Sequence, residues 1–471
     1  MVQHDLLVIG GGSAAFAAAI RGAELGARVA LLERGTIGGT CVNVGCVPSK
    51  ALIRAAEIAW SRQHHPFEGV PRDDGRIDVG RLVRQKRELV ERLRQTKYGD
   101  VLAAYPAIEY VEGEARFRDP ESVEIRLNGG GGRELPAERV VLAVGAKPWA
   151  PPIPGLDRVP YWTSTEALEV DDLPERLIVV GGSAVGTELA QLYARLGTRV
   201  TVLEALPTLV PNEDADLGRE LANCLADEGI EIHVGTEVRS VARAGVEIRV
   251  RAGTGGGERE FTGDRLLVAT GRRPDLGALD LEAAGVETDD RGFIAVDDRL
   301  QTSQSHVYGA GDGAGLPQFV YVAAKAGGLA AENALGNGER SLDLSAVPAV
   351  TFTDPQVASV GRTEAEARAS GADIVVQRLP LEHVPRALVN RDTRGFVKIV
   401  AHETDGRILG VHVLSPQAGE VIQTGVLAVK LGLTIEDVAD TFFRYLTEVD
   451  GLRCAAQTFS RQVEQLSCCA G

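Results

Sequence analysis

Two pairs of cysteines carry the chemistry this sequence offers: Cys41 and Cys46 within Gly38-Gly-Thr-Cys-Val-Asn-Val-Gly-Cys-Val-Pro-Ser-Lys50, and the adjacent Cys468 and Cys469 near the C-terminus. A thiolate attacks disulfides and binds thiophilic metals, so two thiols beside a redox cofactor can hold electrons, a metal ion, or each in turn. The Cys-x4-Cys spacing suits a loop passing into a helix, where the pair can close a disulfide and the helix N-terminus lowers a thiol pKa. Neighbouring cysteines such as Cys468 and Cys469 cannot easily form a relaxed disulfide with each other. They can take a soft ion two-coordinately and pass it on. Cys224 and Cys454 are expected to be packing residues.

A redox pair needs an electron source, and two repeated segments provide for one. Asp5 to Glu33 reads as an apolar strand, the turn Gly10-x-Gly12-x-x-Ala15, an Ala-rich helix and a second strand ending in Glu33. Leu177 to Glu204 repeats the plan around Gly181-x-Ser183-x-x-Gly186, with the same interval from first glycine to strand-end acid. Small residues in such a turn let backbone amides at a helix N-terminus approach a pyrophosphate, and the carboxylate takes ribose hydroxyls. Both segments therefore predict Rossmann-like βαβ units. A further repeat, Val140 to Pro148 and Leu266 to Pro274, reads as a buried strand stopped by Gly145 or Gly271 and then by proline, where each unit hands the chain on.

The rest of the chain frames these units. At 471 residues, with 44% hydrophobic and 25% charged residues, it is long enough for about three domains with sizeable cores. A net charge of -16 without a basic run argues against a nucleic-acid partner. No apolar stretch is long enough to span a bilayer, and the N-terminus enters a strand without a cleavable leader. Six cysteines are too few for a secreted disulfide scaffold. A cytoplasmic protein is expected. From about Ala346 onward, strands such as Gly395 to Val400 and Ile408 to Val413 alternate with amphipathic helices. Residues 60–97 read as a charged, solvated helical excursion, and Gly129 to Gly132 and Gly253 to Gly257 as turns.

The segment Gly38 to Lys50, the paired fingerprints and Val307-Tyr-Gly-Ala-Gly-Asp312 together resemble the pyridine nucleotide-disulfide oxidoreductases. The resemblance implies an α/β fold with two Rossmann-like nucleotide-binding domains, for FAD and NAD(P), and a C-terminal α+β dimerisation domain. The FAD domain falls in two parts, 1–150 and 271–345, around an NAD(P) domain at 151–270, and the interface domain at 346–471 ends in the Cys-Cys tail. It also implies that Gly10, Gly12, Ala15, Glu33, Gly39, Thr40, Lys50, Gly145 and Asp312 serve FAD, and that Gly181, Ser183, Gly186, Glu204 and Gly271 serve the nicotinamide nucleotide.

The C-terminal region chooses within the family. Members that act on dithiols place a His and a Glu five residues apart there, because a thiol leaving group needs a general acid-base. The matching stretch here is Tyr445-Leu-Thr-Glu-Val-Asp450, and no histidine follows His412. The mercury(II)-reducing branch of the family shares this departure. Similarity to that branch runs from Leu6 to Gly471 and includes Ser183, Gln318-Phe-Val-Tyr-Val-Ala-Ala, Val384-Pro-Arg-Ala-Leu, Phe396, Glu420 and Leu466-Ser-Cys-Cys-Ala-Gly.

That resemblance implies a mechanism. NADH or NADPH reduces FAD, and the flavin reduces the Cys41-Cys46 pair, with Cys46 nearest the flavin, Cys41 as the outer interchange thiol and Lys50 near the ring. In a homodimer, Cys468 and Cys469 of one subunit collect Hg(II) and deliver it to Cys41 and Cys46 of the other. Tyr445 and Tyr193 match tyrosines near that site. An acid at Glu204 favours the free ribose hydroxyls of NADH over a 2′-phosphate. Many relatives in this branch carry a Cys-x-x-Cys metal-binding domain before the first fingerprint. Only nine residues precede Gly10, so trafficking is expected to use the C-terminal pair or other proteins. Two alternatives stand beside this reading: a dihydrolipoamide-type disulfide reductase with Tyr445 in the proton role, and a thiol protein that sequesters mercury on a vestigial flavin fold.

Overall fold

The first strand, β1 (Leu6–Ile9), is four apolar residues long and buried throughout, as a strand covered on both faces must be. It leads through Gly10 into α1 (Ser13–Glu24), β2 (Val29–Glu33), a short α2 (Gly39–Asn43) and the long α3 (Cys46–His64). The structure, a computed structural model, describes residues 4–73, 75–336 and 338–466. The chain divides into two compact units: Met1–Ala51, Arg81–Trp149 and Gly271–Asp343 form one, and Leu52–Gly80, Ala150–Thr270 and Leu344–Gly471 the other.

In the first unit a seven-stranded sheet has the order Val307–Gly309, β6 (Val140–Leu142), β1, β2, β3 (Ile108–Asp119), β4 (Ser122–Leu127) and β5 (Gly132–Pro136). The first five strands are parallel and the last two continue as antiparallel hairpins. From β1 the chain moves to β2 on one side and later to β6 on the other, so Gly10 stands at a topological switch point, where open α/β sheets bind ligands. One core packs α1 and the helix Val320–Leu335 over this sheet. The helices meet backbone to backbone: a Cβ on Gly327 would lie 2.0 Å from the Ala14 carbonyl oxygen. The two proline-terminated exits pair with each other, Lys147–Pro148 against Arg272–Arg273, with the Trp149 N–H donating to Gly271 O at 2.9 Å. The Arg273 guanidinium lies 3.9 Å from the Trp149 ring centre.

The second unit holds three sheets. A four-stranded parallel sheet has the order Glu231–His233, Arg199–Leu203, Arg176–Val180, Arg265–Val268, and the helix Ala184–Arg195 follows the strand Arg176–Val180 through Gly181. A three-stranded antiparallel ribbon spans Glu237–Ala244, Glu247–Thr254 and Gly257–Gly263; Gly253, expected in a turn, pairs within it instead, opposite Glu237 and Glu258. The C-terminal sheet is antiparallel in the order Ala349–Thr351, Gln356–Gly361, Ile408–Ser415, Phe396–His402, Ile374–Pro380. Its core includes Val421, Ile422 and Ala428 of the helix Ala418–Leu431. No described helix is long and apolar enough to cross a membrane.

The contact between α1 and Val320–Leu335 makes adjacent glycines respond oppositely. Gly327→Ala forces a methyl into backbone and should destabilise the first unit by about 1–3 kcal/mol, read as a lower Tm. Gly328→Ala, with nothing within 4 Å of the added Cβ, should be neutral or stabilising by ~0.4–1 kcal/mol.

Candidate active site

The thiols occupy two helices rather than a loop and a helix. Cys41 lies within α2, and Cys46 is the first residue of α3, where the unpaired amides of a helix N-terminus favour negative charge. The turn between them is locked from several sides. Asn43 Nδ2 donates to Ile37 O and Gly39 O, both at 2.9 Å, and Asn43 Oδ1 accepts from Arg94 Nε at 2.8 Å. Val44 N donates to Thr40 O at 3.0 Å, and a Cβ on Gly45 would meet that same oxygen at 2.9 Å. Beneath α2, a Cβ on Gly39 would stand 2.5 Å from Gly12 Cα, so the thiol helix rests on the first glycine turn.

Cys41 and Cys46 are both free thiols, Cys41 half-buried and Cys46 exposed. Their side chains share a hydrogen bond, and this bond, burial and charge on Cys46 push the Cys41 thiol well above its ordinary pKa, against the opposing charge of Lys50. Negative charge on Cys46 thus makes a second one on Cys41 costly. Three residues that sequence reasoning assigned no part sense the same charge. Tyr98 packs edge-on against Phe16, ring centres 4.6 Å apart. Its phenol is pushed up by burial and by charge on Cys41 and Cys46, while a hydrogen bond with Ser13 opposes the shift. Tyr321, in the first turn of Val320–Leu335, is raised by burial and by Cys46. Arg272 is lowered by burial, with charge on Asp312 and Cys46 pulling the other way. Its guanidinium donates to Ala146 O and, at 3.2 Å, to Thr40 Oγ1, and lies 3.9 Å from Asp312. Arg272 could have been found from its place directly after Gly271. Tyr98 lies just past the charged helical stretch set aside as solvated.

The residues around the first glycine turn fit a dinucleotide. Gly10 has φ 125°, and a Cβ there would fall 2.2 Å from Ala143 O. A cavity of about 60 Å³ opens beside it, lined by Ile9, Gly10, Glu33, Ala115, Val144 and Leu279 among others. Glu33 stands at the end of β2 and accepts from Gly35 N at 2.5 Å. Burial raises the pKa of Asp312, and Arg272 offsets this. Gly145 follows β6 with φ 65°. The second turn repeats this arrangement: a Cβ on Gly181 would lie 2.4 Å from Ala269 O, and Ser183 is the residue before the helix Ala184–Arg195. The Glu204 carboxylate is buried and accepts from Gly182 N at 2.6 Å and Leu206 N at 2.7 Å. Gly271 stands three residues after the strand Arg265–Val268.

The other residues singled out in the sequence have varied surroundings. Tyr193 is fully buried within the second unit, its hydroxyl donates to Ala167 O at 2.6 Å, and burial alone raises its pKa. Ala15 is fully buried, and a Cβ on Gly186 would fall 1.9 Å from Gly181 O, which allows close packing of each helix. Tyr445 is 44% exposed in the second unit, beside Leu446 with φ 59°. Cys224 and Cys454 are buried, and burial raises their pKa values to about 12 and about 11. Cys468 and Cys469 lie outside the described residues.

Known proteins share this organisation. The profile of the pyridine nucleotide-disulphide oxidoreductases matches residues 4–327, and that of their dimerisation domain residues 347–455. The chain is 50% identical to a mercuric reductase of Acidithiobacillus ferrooxidans over 100% of its own length and 85% of that protein. It is 49% identical to one of Shigella flexneri, covering 99% and 82%, and 46% identical to one of Streptomyces lividans, covering 99% and 98%. Among solved structures, the HOCl-induced flavoprotein disulfide reductase RclA from Escherichia coli superposes with a TM-score of 0.85 at 32% identity, over 97% of this chain and 99% of that one. The chain belongs to the pyridine nucleotide-disulphide oxidoreductase family, with that family's dimerisation domain at its C-terminal end.

Proposed function

We propose that this protein is a homodimeric flavoprotein that reduces Hg(II) to Hg(0) with NADH or NADPH, and so detoxifies mercury. The observation that carries the proposal is the thiol pair itself: two hydrogen-bonded sulfurs on adjoining helices, the first helix resting on a glycine turn. The full-length likeness to mercuric reductases supports the metal as substrate. The balance is NAD(P)H plus Hg(II) giving NAD(P)⁺, one proton and Hg(0).

FAD, when bound, supplies two-electron transfer between the reduced nicotinamide and the thiol pair. The Gly10 turn, Gly12, Glu33 and Asp312 would hold it, and Gly181, Ser183 and Glu204 the nicotinamide nucleotide. Cys41 and Cys46 take Hg(II) as a dithiolate, the ion displacing whatever thiol protons remain, and Lys50 offsets the charge of the sulfurs. Tyr98 keeps its proton beside the pair and can donate to a departing thiolate ligand. Cys468 and Cys469 of the partner subunit would deliver the ion by stepwise thiolate exchange, which spares a soft cation from leaving sulfur, with Tyr445 near the point of entry. Cytoplasmic low-molecular-weight thiols would supply it.

A disulfide reductase is the weaker reading. Tyr445 stands where a histidine is needed, and Asp450, five residues on, is buried and accepts from Arg453 Nε at 2.8 Å.

In steady state, Hg(II) in excess thiol should stimulate NADH oxidation while lipoamide and glutathione disulfide should not; steady disulfide turnover without metal would move the assignment to the other branch. Tyr98→Phe should lower the mercury-dependent kcat about tenfold, the worth of one hydrogen bond to a charged group. Tyr193→Phe should leave kcat within about twofold while lowering Tm, since Ala167 O loses a buried donor worth ~1–3 kcal/mol. With Glu204 buried at the second turn, kcat/KM for NADH should equal or exceed that for NADPH, and a tenfold preference for NADPH would overturn the role given to this acid.

A further inference from the structure

The second unit buries a lysine far from any thiol chemistry in the sequence. Lys398, on the strand Phe396–His402, has a side chain only 5% exposed, and its Nζ lies 2.9 Å from Glu364, 3.1 Å from Asp216 and 3.2 Å from Asp214. Asp214 also accepts from Glu364 N at 3.2 Å. Opposite Lys398 in the sheet, fully buried His412 donates through Nε2 to Arg362 O at 3.0 Å and stands 3.6 Å from Asp214. Burial lowers the pKa of His412, and the carboxylates raise that of Lys398 against the opposing effect of burial.

These carboxylates begin the helix Ala215–Asp227: Asp214 precedes its first residue and Asp216 lies in its first turn. The helix in turn bears on the nucleotide turn. A Cβ on Gly218 would lie 2.2 Å from Leu209 O, so the helix rests on the Leu209 backbone. The Leu209 side chain covers Gly182, where a Cβ would meet it at 2.6 Å. Val210 N donates to Gly182 O at 2.8 Å, and Gly182 N donates to Glu204 at 2.6 Å. Val210 has φ 42°, a left-handed conformation that a β-branched residue keeps only where its surroundings impose it. Three successive contacts therefore run from Lys398 to the turn that presents Glu204.

We infer that Lys398, through Asp214 and Asp216, holds the Glu204–Val210 segment in the shape that receives the ribose end of the nicotinamide nucleotide, making it a positioning residue for nucleotide binding. This rests on the assignment of Gly181 and Glu204 to that nucleotide, but not on mercury as the final acceptor.

The test is NADH:ferricyanide reduction by the FAD-loaded dimer, an assay that draws electrons without the thiols or mercury, together with the KM for Hg(II). In Lys398→Met the KM for NADH should rise by about fivefold or more with kcat within about twofold. Asp216→Asn, at a partly exposed side chain, should give a smaller rise, and Lys398→Arg should stay nearer the wild type. The KM for Hg(II) should not move. A purely structural lysine would lower Tm without separating KM from kcat. An unchanged KM for NADH in folded Lys398→Met overturns the inference, and so does an unchanged KM in Asp216→Asn should Lys398→Met fail to fold. If mercury reduction itself is absent, the ferricyanide result still decides the role of Lys398. If NADPH is the preferred donor, the same shift is read in its KM.

Discussion

One close backbone approach governs the chemistry of the first unit: α2 lies so near the first glycine turn that a methyl group on Gly39 would stand 2.5 Å from Gly12 Cα. The helix that carries Cys41 is thereby docked on the first glycine turn. A side chain at Gly39 would have to push α2 off that turn, whereas one at Gly12 would meet only Gly39 Cα, at 3.6 Å. The sheet order puts Gly10 at its switch point, α1 and Val320–Leu335 press the turn from behind, and Asn43 with Arg94 keeps the loop between the thiols from opening.

Charge is arranged around that contact. Lys50 lies one helical turn beyond Cys46 and opposes the rise of the Cys41 pKa, while the half-buried Arg272 ties Thr40 to Asp312. The second unit uses the same device for a different end. Arg195, almost wholly buried, pairs with Glu228 at 2.5 Å and Asp354 at 2.8 Å, and Arg394 joins the same acids. Together with the Lys398 cluster, these pairs fix the helix Ala184–Arg195 and the helix Ala215–Asp227, which flank the second glycine turn. Buried ion pairs are weak sources of stability, but they specify geometry, and geometry is what a nucleotide turn needs.

Much of this is legible in the sequence, for physical reasons that differ by residue. Gly10, Gly181 and the acids that follow them stand out because close backbone approach leaves only a few residue types. The strand at Leu6 is plain because an unbroken apolar run of that length fits a strand covered on both faces. Tyr193 and Tyr98 show the limit. Both sit in helical segments, and a tyrosine hydroxyl can be satisfied by a carbonyl or offered to a site. The helix of Tyr193 is buried nearly all round, which traps its ring in the core. Tyr98 follows a strongly charged helix that reads as solvated, and only the fold brings it to Phe16 and the thiols. Lys398 was equally silent, since its carboxylates come from segments far apart in the chain. The exits at Gly145 and Gly271 are visible as a repeat, whereas their pairing with each other is not.

The most direct measurement is the amount of elemental mercury trapped from the vapour per NADH oxidised by the purified FAD-loaded protein with Hg(II) in excess thiol. The thiol pair above the dinucleotide turn predicts one Hg(0) for each NADH, with none from a variant in which Cys41 and Cys46 are both serine. NADH oxidation without mercury release, or undiminished release from the double variant, would contradict the account.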